Sequence, residues 1–131
     1  MKAQVLLVED DRSVRDSLER ALQSEDYAVV ATPDSTQARQ VLQNQHIDLV
    51  LMDVDSAQAD DWDGAQEIVR SQMFLPVVLI TARTGQHHHA AATGADVLME
   101  KPLNLTTLVE TMSHLLEQTL QGRLHRLEEA Y

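Results

Sequence analysis

The chain has 131 residues, enough for one domain that buries a hydrophobic core without metal or disulfide staples. It has no cysteine, its net charge is −11, and it contains no GxGxxG or GxxxxGK[ST] pattern. These features exclude a disulfide scaffold and a glycine-rich nucleotide loop, and they argue against direct nucleic acid binding by this chain. No apolar run approaches the ~20 residues of a membrane helix, so we expect a cytoplasmic protein that does not contact membranes.

Short apolar runs alternate along the chain with stretches of helical periodicity, which is typical of βαβ units and a parallel sheet. With right-handed crossovers, the pattern predicts an α/β fold: a flavodoxin-like, doubly wound, five-stranded parallel sheet of order 2-1-3-4-5 in a single domain. Ser13 and Ser35 are predicted as helix N-caps. The predicted strands are 4–8, 28–32, 48–52, 77–81 and 97–99, and the predicted helices are 13–24, 35–44, 64–72, 86–93 and 105–120.

Polar residues stand at the C-terminal ends of four predicted strands. They are Glu9 and Asp10 after the first strand, Asp53 after the third, Thr81 at the end of the fourth and Lys101 after the fifth. Because the C-terminal ends of parallel strands converge on one crevice, these side chains should meet there. Carboxylates that lie close together repel each other and favour a divalent cation with hard oxygen ligands, usually Mg²⁺. A carboxylate held beside a metal, a hydroxyl and an amine predicts that Asp53 accepts a phosphoryl group.

Several motifs, in order and at matching spacing, resemble those of bacterial two-component response-regulator receiver domains. They are LLVEDD (6–11), DLVLMDVD (48–55), WDG (62–64), PVVLITA (76–82) and GADVLMEKPL (94–103). The resemblance covers residues 2 to about 120. On this basis residues 1–120 are predicted to form a receiver domain, and residues 121–131 a C-terminal helical extension or linker.

The resemblance implies a role for each residue of the acidic cluster. Asp53 would accept a phosphoryl group from a phosphohistidine on a sensor histidine kinase or phosphotransfer protein. Asp10 would bind Mg²⁺ directly and Glu9 through water, and the backbone carbonyl of Asp55 would be a further ligand.

The resemblance also implies how the phosphoryl group is held. Thr81 would donate a hydrogen bond to a phosphoryl oxygen, and Lys101 would pair with Asp53 and then with the phosphoryl group. The Lys101-Pro102 peptide bond would be cis. Such a chain is a signalling switch that catalyses only its own phosphorylation and dephosphorylation, and the resemblance allows a homodimer through the fourth and fifth helices.

The sequence departs from the receiver pattern in three places. Position 57 is Ala where the family usually has Pro, and the loop from 54 to 63 is longer and more acidic. Leu98 stands where an aromatic switch residue is usual. Thr81 and Lys101 are 20 positions apart (101 − 81), about two fewer than is common, which predicts a short fourth helix.

Two other functions fit parts of the sequence. Leu98 and the long loop leave open a receiver-like interaction scaffold that works without phosphorylation. The DxD pattern of Asp53 and Asp55 resembles the nucleophile motif of haloacid-dehalogenase-type phosphatases, but in that family the metal-binding acids follow the lysine at a strand end. The acids after Lys101 all fall on a helical pattern: Glu110, Glu117, Glu128 and Glu129.

Two possible metal motifs fail on spacing or geometry. A calcium loop that began at Asp53 would have Gln58 instead of Gly at its sixth position and Gly64 instead of Glu at its twelfth. The three consecutive histidines, 87–89, would point about 100° apart on a helix, so a polar helix face is favoured over a shared ion. Trp62 is predicted to anchor a loop on the surface.

The C-terminal helix carries two apolar stripes. The first is predicted to pack on the sheet: Leu105, Leu108, Met112 and Leu115. The second follows out of phase: Leu120, Leu124, Leu127 and Tyr131. Either the helix continues as a signalling helix that needs a partner to bury this stripe, or it frays at Gly122.

Overall fold

A computed structural model describes residues 2–55 and 61–130, and side chains as far as residue 119. Five strands form one parallel sheet of order β2-β1-β3-β4-β5, which confirms the predicted flavodoxin-like α/β fold. The elements are β1 Gln4–Val8, α1 Arg12–Ser24, β2 Ala28–Thr32, α2 Ser35–Asn44, β3 Leu49–Asp53, α3 Trp62–Ser71, β4 Val77–Thr81, α4 His87–Thr93, β5 Val97–Glu100 and α5 Leu105–Ala130.

The sheet has a hydrophobic core on each face, because successive side chains of a strand point to opposite sides. Both β3 and β4 are buried along their whole length, as expected when helices cover both faces. One core lies against α2, α3 and α4 and includes Leu6, Val50, Met52, Ala65, Ile68 and Leu79. The other lies against α1 and α5 and includes Leu7, Leu22, Leu51, Ile80, Leu108 and Met112.

Aspartates cap the first two helices, so the predicted serine caps are wrong. The Asp11 and Asp34 side chains each accept a hydrogen bond from the backbone N–H three residues later, at 3.0 and 2.8 Å. Ser13 and Ser35 lie inside the first turns. A carboxylate at this position also interacts favourably with the positive end of the helix dipole, which a serine cannot do.

Helix α3 begins two residues earlier than predicted. Asp61 is its N-cap and accepts a hydrogen bond from the Gly64 N–H at 3.1 Å. Gly64 packs closely against the start of α2, since a Cβ at this position would lie 2.5 Å from Ser35 Oγ. The prediction missed this start because Trp62, the first helical residue, was assigned to the preceding loop.

Helices α1 and α5 leave an apolar groove between them. Leu108, Met112 and Leu115 are buried as predicted, but Leu105 and Val14 are 38% and 42% exposed, so the prediction that Leu105 packs on the sheet is wrong. Both side chains line a groove of about 430 Å³. The first turns of the two helices therefore diverge enough to leave this face open.

The length of α5 differs from the prediction. Its backbone is helical to Ala130 and passes through Gly122, whereas the predicted helix ended at 120. The side chains from Leu120 onward lie outside the described part of the structure, so the second apolar stripe stays a prediction. Helix α4 has only seven residues, in line with the short Thr81–Lys101 spacing. Within the described ranges, no helix is both long and apolar enough to cross a membrane.

Candidate functional site

Strand pairing brings four predicted site residues to one edge of the sheet. Asp53 and Thr81 are the last residues of the adjacent strands β3 and β4. The Lys101 N–H donates to the Thr81 carbonyl at 2.8 Å, which continues the pairing of β4 with β5. Glu9 follows β1, on the other side of β3, and is buried. The neighbouring Asp10 is exposed at the same edge.

Asp53 is a buried carboxylate with one lysine beside it. Its side chain is only 2% exposed, and its Oδ2 atom lies 2.5 Å from Lys101 Nζ. The backbone N–H of Asp55 donates to Asp53 Oδ1 at 2.8 Å. Oδ2 is buried, and its close contact with Lys101 is poorly aligned, so its capacity to accept hydrogen bonds is not used up. Lys101 therefore neutralises the charge of Asp53 but leaves lone pairs free for another ligand.

The surroundings of Asp53 shift the pKa values of its two neighbours. Burial lowers the pKa of Lys101, but its hydrogen bond to Asp53 and the negative charge there outweigh burial, and the pKa is raised above its ordinary value. Lys101 therefore stays protonated. Burial, followed by the hydrogen bond to Asp53 and the Asp53 charge, raises the pKa of Glu9 from 4.5 to about 8. Glu9 therefore holds a proton near neutral pH.

These residues fit a small divalent cation. Asp53 offers a buried oxygen without an aligned donor, and Glu9 carries a proton that a cation could replace. Within the described residues, no three acidic or histidine side chains form a metal-binding cluster. Mg²⁺ does not need such a cluster, because it keeps several waters and usually binds one or two carboxylates. Asp10 and the Asp55 carbonyl remain predicted ligands.

An arginine that the sequence analysis missed holds the loop between β1 and α1. Arg15, in the first turn of α1, donates to the carbonyl oxygens of Glu9 and Asp10 at 2.8 and 3.4 Å. The Asp11 N–H donates to Glu9 Oε1 at 3.1 Å. A basic residue one turn after an acidic run was the available signal. Arg15 therefore positions the backbone that carries two predicted Mg²⁺ ligands.

The Asp55 side chain contacts the end of β4. Its Oδ1 accepts a hydrogen bond from Thr81 Oγ1 at 2.8 Å, and its Oδ2 accepts one from the Ala82 N–H at 2.5 Å. The Arg83 N–H donates to Thr81 Oγ1 at 3.1 Å. A contact of the Asp55 side chain with Thr81 and Ala82 was not predicted from the sequence. No sequence pattern indicates this side-chain contact, because it crosses between two strands.

The described acids that follow Lys101 lie on α5 and not at the sheet edge. Glu110 and Glu117 are exposed on α5, and the side chains of Glu128 and Glu129 lie outside the described part of the structure. Glu9 and Asp10, the described acids that approach Asp53 from another strand, lie in the loop after β1, which is the receiver arrangement and not that of the phosphatases. The loop positions that bear on the calcium motif and on the missing proline, Ala57 and Gln58, fall among the residues that are not described.

The first and third of the consecutive histidines have separate partners. His87 Nδ1 lies 3.6 Å from Glu100 Oε1. The His89 ring stacks on Trp62, with centroids 4.0 Å apart. Trp62 is buried as the first residue of α3, so its predicted place on a surface loop is wrong.

Leu98 is partly buried and packs against the core beneath α2, α3 and α4. The Lys101-Pro102 bond is cis, as predicted.

Solved structures share this architecture. A CheY-like response regulator receiver domain protein from Methanospirillum hungatei has a TM-score of 0.85 at 19% identity, covering 93% of this chain and 99% of that one. The response regulator TrrA from Thermotoga maritima, solved in complex with Mg²⁺ and BeF, has a TM-score of 0.78 at 25% identity, covering 88% of this chain and 99% of that one.

Sequence comparison agrees with the fold. The response regulator MprA of Mycobacterium sp. strain KMS is 32% identical over 121 residues, which cover 91% of this chain. The aligned region is 53% of that relative, so the chain spans about half its length. Residues 5–113 match the family described as response regulator receiver domain. The chain belongs to the response-regulator receiver domain family.

Proposed function

We propose that this chain is a phosphorylation-dependent signalling switch. Asp53 accepts a phosphoryl group from the phosphohistidine of a sensor histidine kinase or phosphotransfer protein in a Mg²⁺-dependent reaction. The observation that carries the proposal is the buried Asp53 carboxylate with Lys101 2.5 Å from one oxygen and a backbone N–H on the other. Membership of the receiver family supports it.

In this reaction a carboxylate oxygen of Asp53 attacks the phosphorus atom. The new O–P bond forms while the P–N bond to the donor imidazole breaks, and the electron pair leaves with the imidazole. No base on this chain is needed, because a carboxylate nucleophile, unlike a hydroxyl, has no proton to lose as it attacks. The transition-state charge lies on the phosphoryl oxygens, where Lys101 supplies a positive charge and Thr81 a hydrogen bond.

The acidic side chains next to Asp53 would hold the metal ion. Glu9, Asp10, Asp53 and the backbone carbonyl of Asp55 are the proposed Mg²⁺ ligands. Bound there, Mg²⁺ would neutralise charge on the phosphoryl oxygens. The Mg²⁺ and BeF complex of the Thermotoga maritima relative supports this assignment.

The groove between α1 and α5 suits the phosphodonor protein. It begins beside the site, because α1 follows the loop after β1 and α5 follows the loop after β5. Its lining includes the exposed side chains of Val14 and Leu105 together with Leu103. An apolar partner surface in this groove would bring a phosphohistidine to the edge where Asp53 lies.

Mass spectrometry after incubation with Mg²⁺ and acetyl phosphate tests the proposal. We expect one phosphoryl group on Asp53, none on Asp53→Asn, and at least about ten-fold slower uptake by Asp10→Ala. Asp16→Asn is a control, since this partly exposed acid lies on α1 and faces Arg12. A folded wild-type chain that takes up no phosphoryl group would support the non-phosphorylated scaffold. Turnover of a generic phosphomonoester would support the phosphatase.

We also propose that the C-terminal part of α5 couples the domain to a partner helix, including a second copy in a homodimer through α4 and α5. Its helical backbone continues through Gly122 to Ala130, which supports this role. Gly122→Ala should strengthen self-association in sedimentation experiments, because Ala favours a helix interior by about 1 kcal/mol. Leu124→Glu should weaken it. A monomer for all forms, phosphorylated or not, would contradict the proposal.

A further inference from the structure

The carboxylate of Asp55 uses the two hydrogen-bond donors at the end of β4. Thr81 Oγ1 and the Ala82 N–H each donate to one of its oxygens, at 2.8 and 2.5 Å. The backbone N–H of the same residue donates to Asp53 Oδ1. Asp55 therefore binds the acceptor residue through its backbone and the neighbouring strand through its side chain.

Each of the two donors can serve only one acceptor at full strength. A threonine hydroxyl and a backbone N–H each carry a single hydrogen. Under the proposed function, Thr81 donates to a phosphoryl oxygen on Asp53. The Ala82 N–H lies beside the Thr81 hydroxyl, and in this structure both donate to the Asp55 carboxylate. A carboxylate and a phosphoryl group are both anions with oxygen acceptors, so the two compete for the same donors.

We propose that Asp55 is a gating residue, whose side chain occupies the phosphoryl-oxygen site of the unphosphorylated chain and must leave before Asp53 is phosphorylated. This inference rests on the proposed function. It assigns to the Asp55 side chain a role separate from metal binding by its backbone carbonyl. It also makes the Asp55 side chain the first group that moves on the way to phosphorylation.

The gate lowers the fraction of molecules that are ready to react. The apparent rate of phosphorylation and the apparent affinity for a phosphoryl mimic equal their intrinsic values multiplied by the fraction of molecules in which the two donors are free. If the gate is closed in roughly nine-tenths of the molecules, its removal speeds phosphorylation about ten-fold. The chemistry of the acceptor itself is unchanged.

Initial phosphorylation rates of the full chain test the gate. In Mg²⁺ with acetyl phosphate or phosphoramidate, we expect Asp55→Ala to react about ten-fold faster than wild type. Asp55→Asn should lie between them, since its one amide oxygen can accept from Thr81 but not from both donors. Rates within two-fold of each other for all three proteins would overturn the inference but leave the proposed function intact. If none of the three is phosphorylated, it is the proposed function that fails.

The removal of a negative charge would also explain faster phosphorylation of Asp55→Ala. Two comparisons distinguish this explanation from the gate. Simple repulsion of the phosphodonor would make Asp55→Asn as fast as Asp55→Ala, and the gain would disappear in about 1 M salt, where charges are screened within ~3 Å. It would also be larger for acetyl phosphate, the more negatively charged donor. The gate predicts the same gain with both donors and at high salt. A gain that follows donor charge and vanishes in salt would overturn the gate.

An NMR measurement tests the contact without any phosphodonor. The short hydrogen bond from the Ala82 N–H to a carboxylate should shift this amide proton downfield in wild type. The shift should be lost in both Asp55→Ala and Asp55→Asn. An Ala82 proton that is unaffected by the Asp55 substitutions would overturn the inference, whatever the phosphorylation rates are.

Discussion

The two acidic loops beside Asp53 use their carboxylates in opposite ways. In the loop between β1 and α1, Arg15 and the Asp11 cap hold the backbone, which leaves Glu9 directed at Asp53. In the loop between β3 and α3, Asp61 caps the helix while Asp55 reaches across to the end of β4. The first loop carries the carboxylates that are proposed to bind the cation. The second loop supplies one proposed backbone ligand, and its Asp55 side chain places an anion where the phosphoryl oxygens are proposed to bind.

This difference shows that acidic residues near one acceptor need not share one task. A carboxylate next to Asp53 favours a cation, because the two negative charges need neutralising. A carboxylate on the hydrogen-bond donors of β4 instead opposes a second anion. Both loops are acidic in composition. On the proposed function, the contacts of each side chain decide whether it promotes or opposes phosphorylation.

The largest expected effect concerns Glu9 and Mg²⁺. Because the pKa of Glu9 is raised to about 8, Mg²⁺ must displace its proton at lower pH. The Mg²⁺ affinity of wild type should therefore rise about fifty-fold between about pH 6 and about pH 8. Isothermal titration calorimetry measures this change. The affinity of Glu9→Gln should vary far less with pH. Equal pH dependence in the two proteins would show that Glu9 does not contribute to the cation site.

The same proton affects the metal-free fold. Between 4.5 and about 8 the native state holds the Glu9 proton more tightly than the unfolded chain does. The stability that this proton gives is fully present below 4.5 and is lost as the pH rises through about 8. Urea denaturation should show a smaller decline for Glu9→Gln than for wild type across this window.

Local sequence patterns predicted the elements that local physics determines. The first, second and fourth strands and the second helix were predicted with their observed bounds, because buried parallel strands are continuous apolar runs and α2 has clear helical periodicity. The strand-end position of Asp53, Thr81 and Lys101 follows from the same strand order. These parts of the site could be derived because topology alone brings strand ends together.

The remaining features depend on contacts between distant segments. Asp55 binds the end of β4 and Gly64 packs on Ser35, neither of which has a periodic signal in the sequence. Leu105 falls on the apolar stripe of α5, but it lies where α1 and α5 leave the groove open. Such outcomes are decided by the way helices pack on the sheet, which a single helical pattern does not contain.

A third prediction tests whether the start of α3 can be destabilised without an effect on the proposed cation site. In Gly64→Ala, the new Cβ would lie 2.3 Å from Asp61 Oδ1 and 2.5 Å from Ser35 Oγ. We expect a loss of about 2 kcal/mol in the free energy of unfolding, measured by urea denaturation. The Mg²⁺ affinity should be unchanged. The added substitution Ser35→Gly should recover part of the loss, and full additivity of the two substitutions would contradict the steric explanation.

The smallest expected effect comes from the two aspartate caps, which make a matched pair. Asp11→Ala and Asp61→Ala each remove one side-chain cap and should each cost about 1 kcal/mol in the free energy of unfolding. Only Asp11 belongs to the loop that carries Glu9 and Asp10, so Asp11→Ala should also weaken Mg²⁺ binding about two- to three-fold, as a loosened loop loses a few tenths of a kcal/mol of preorganisation. Asp61→Ala should leave Mg²⁺ binding as in wild type, because the Asp61 side chain holds the start of α3, whereas Asp55 is held by its own hydrogen bonds to Asp53 and to the end of β4. Calorimetric titration of both variants at equal pH decides the point. If the two substitutions weaken Mg²⁺ binding equally, the two loops act on the cation site as one unit. The assignment of different tasks to the two loops would then be wrong.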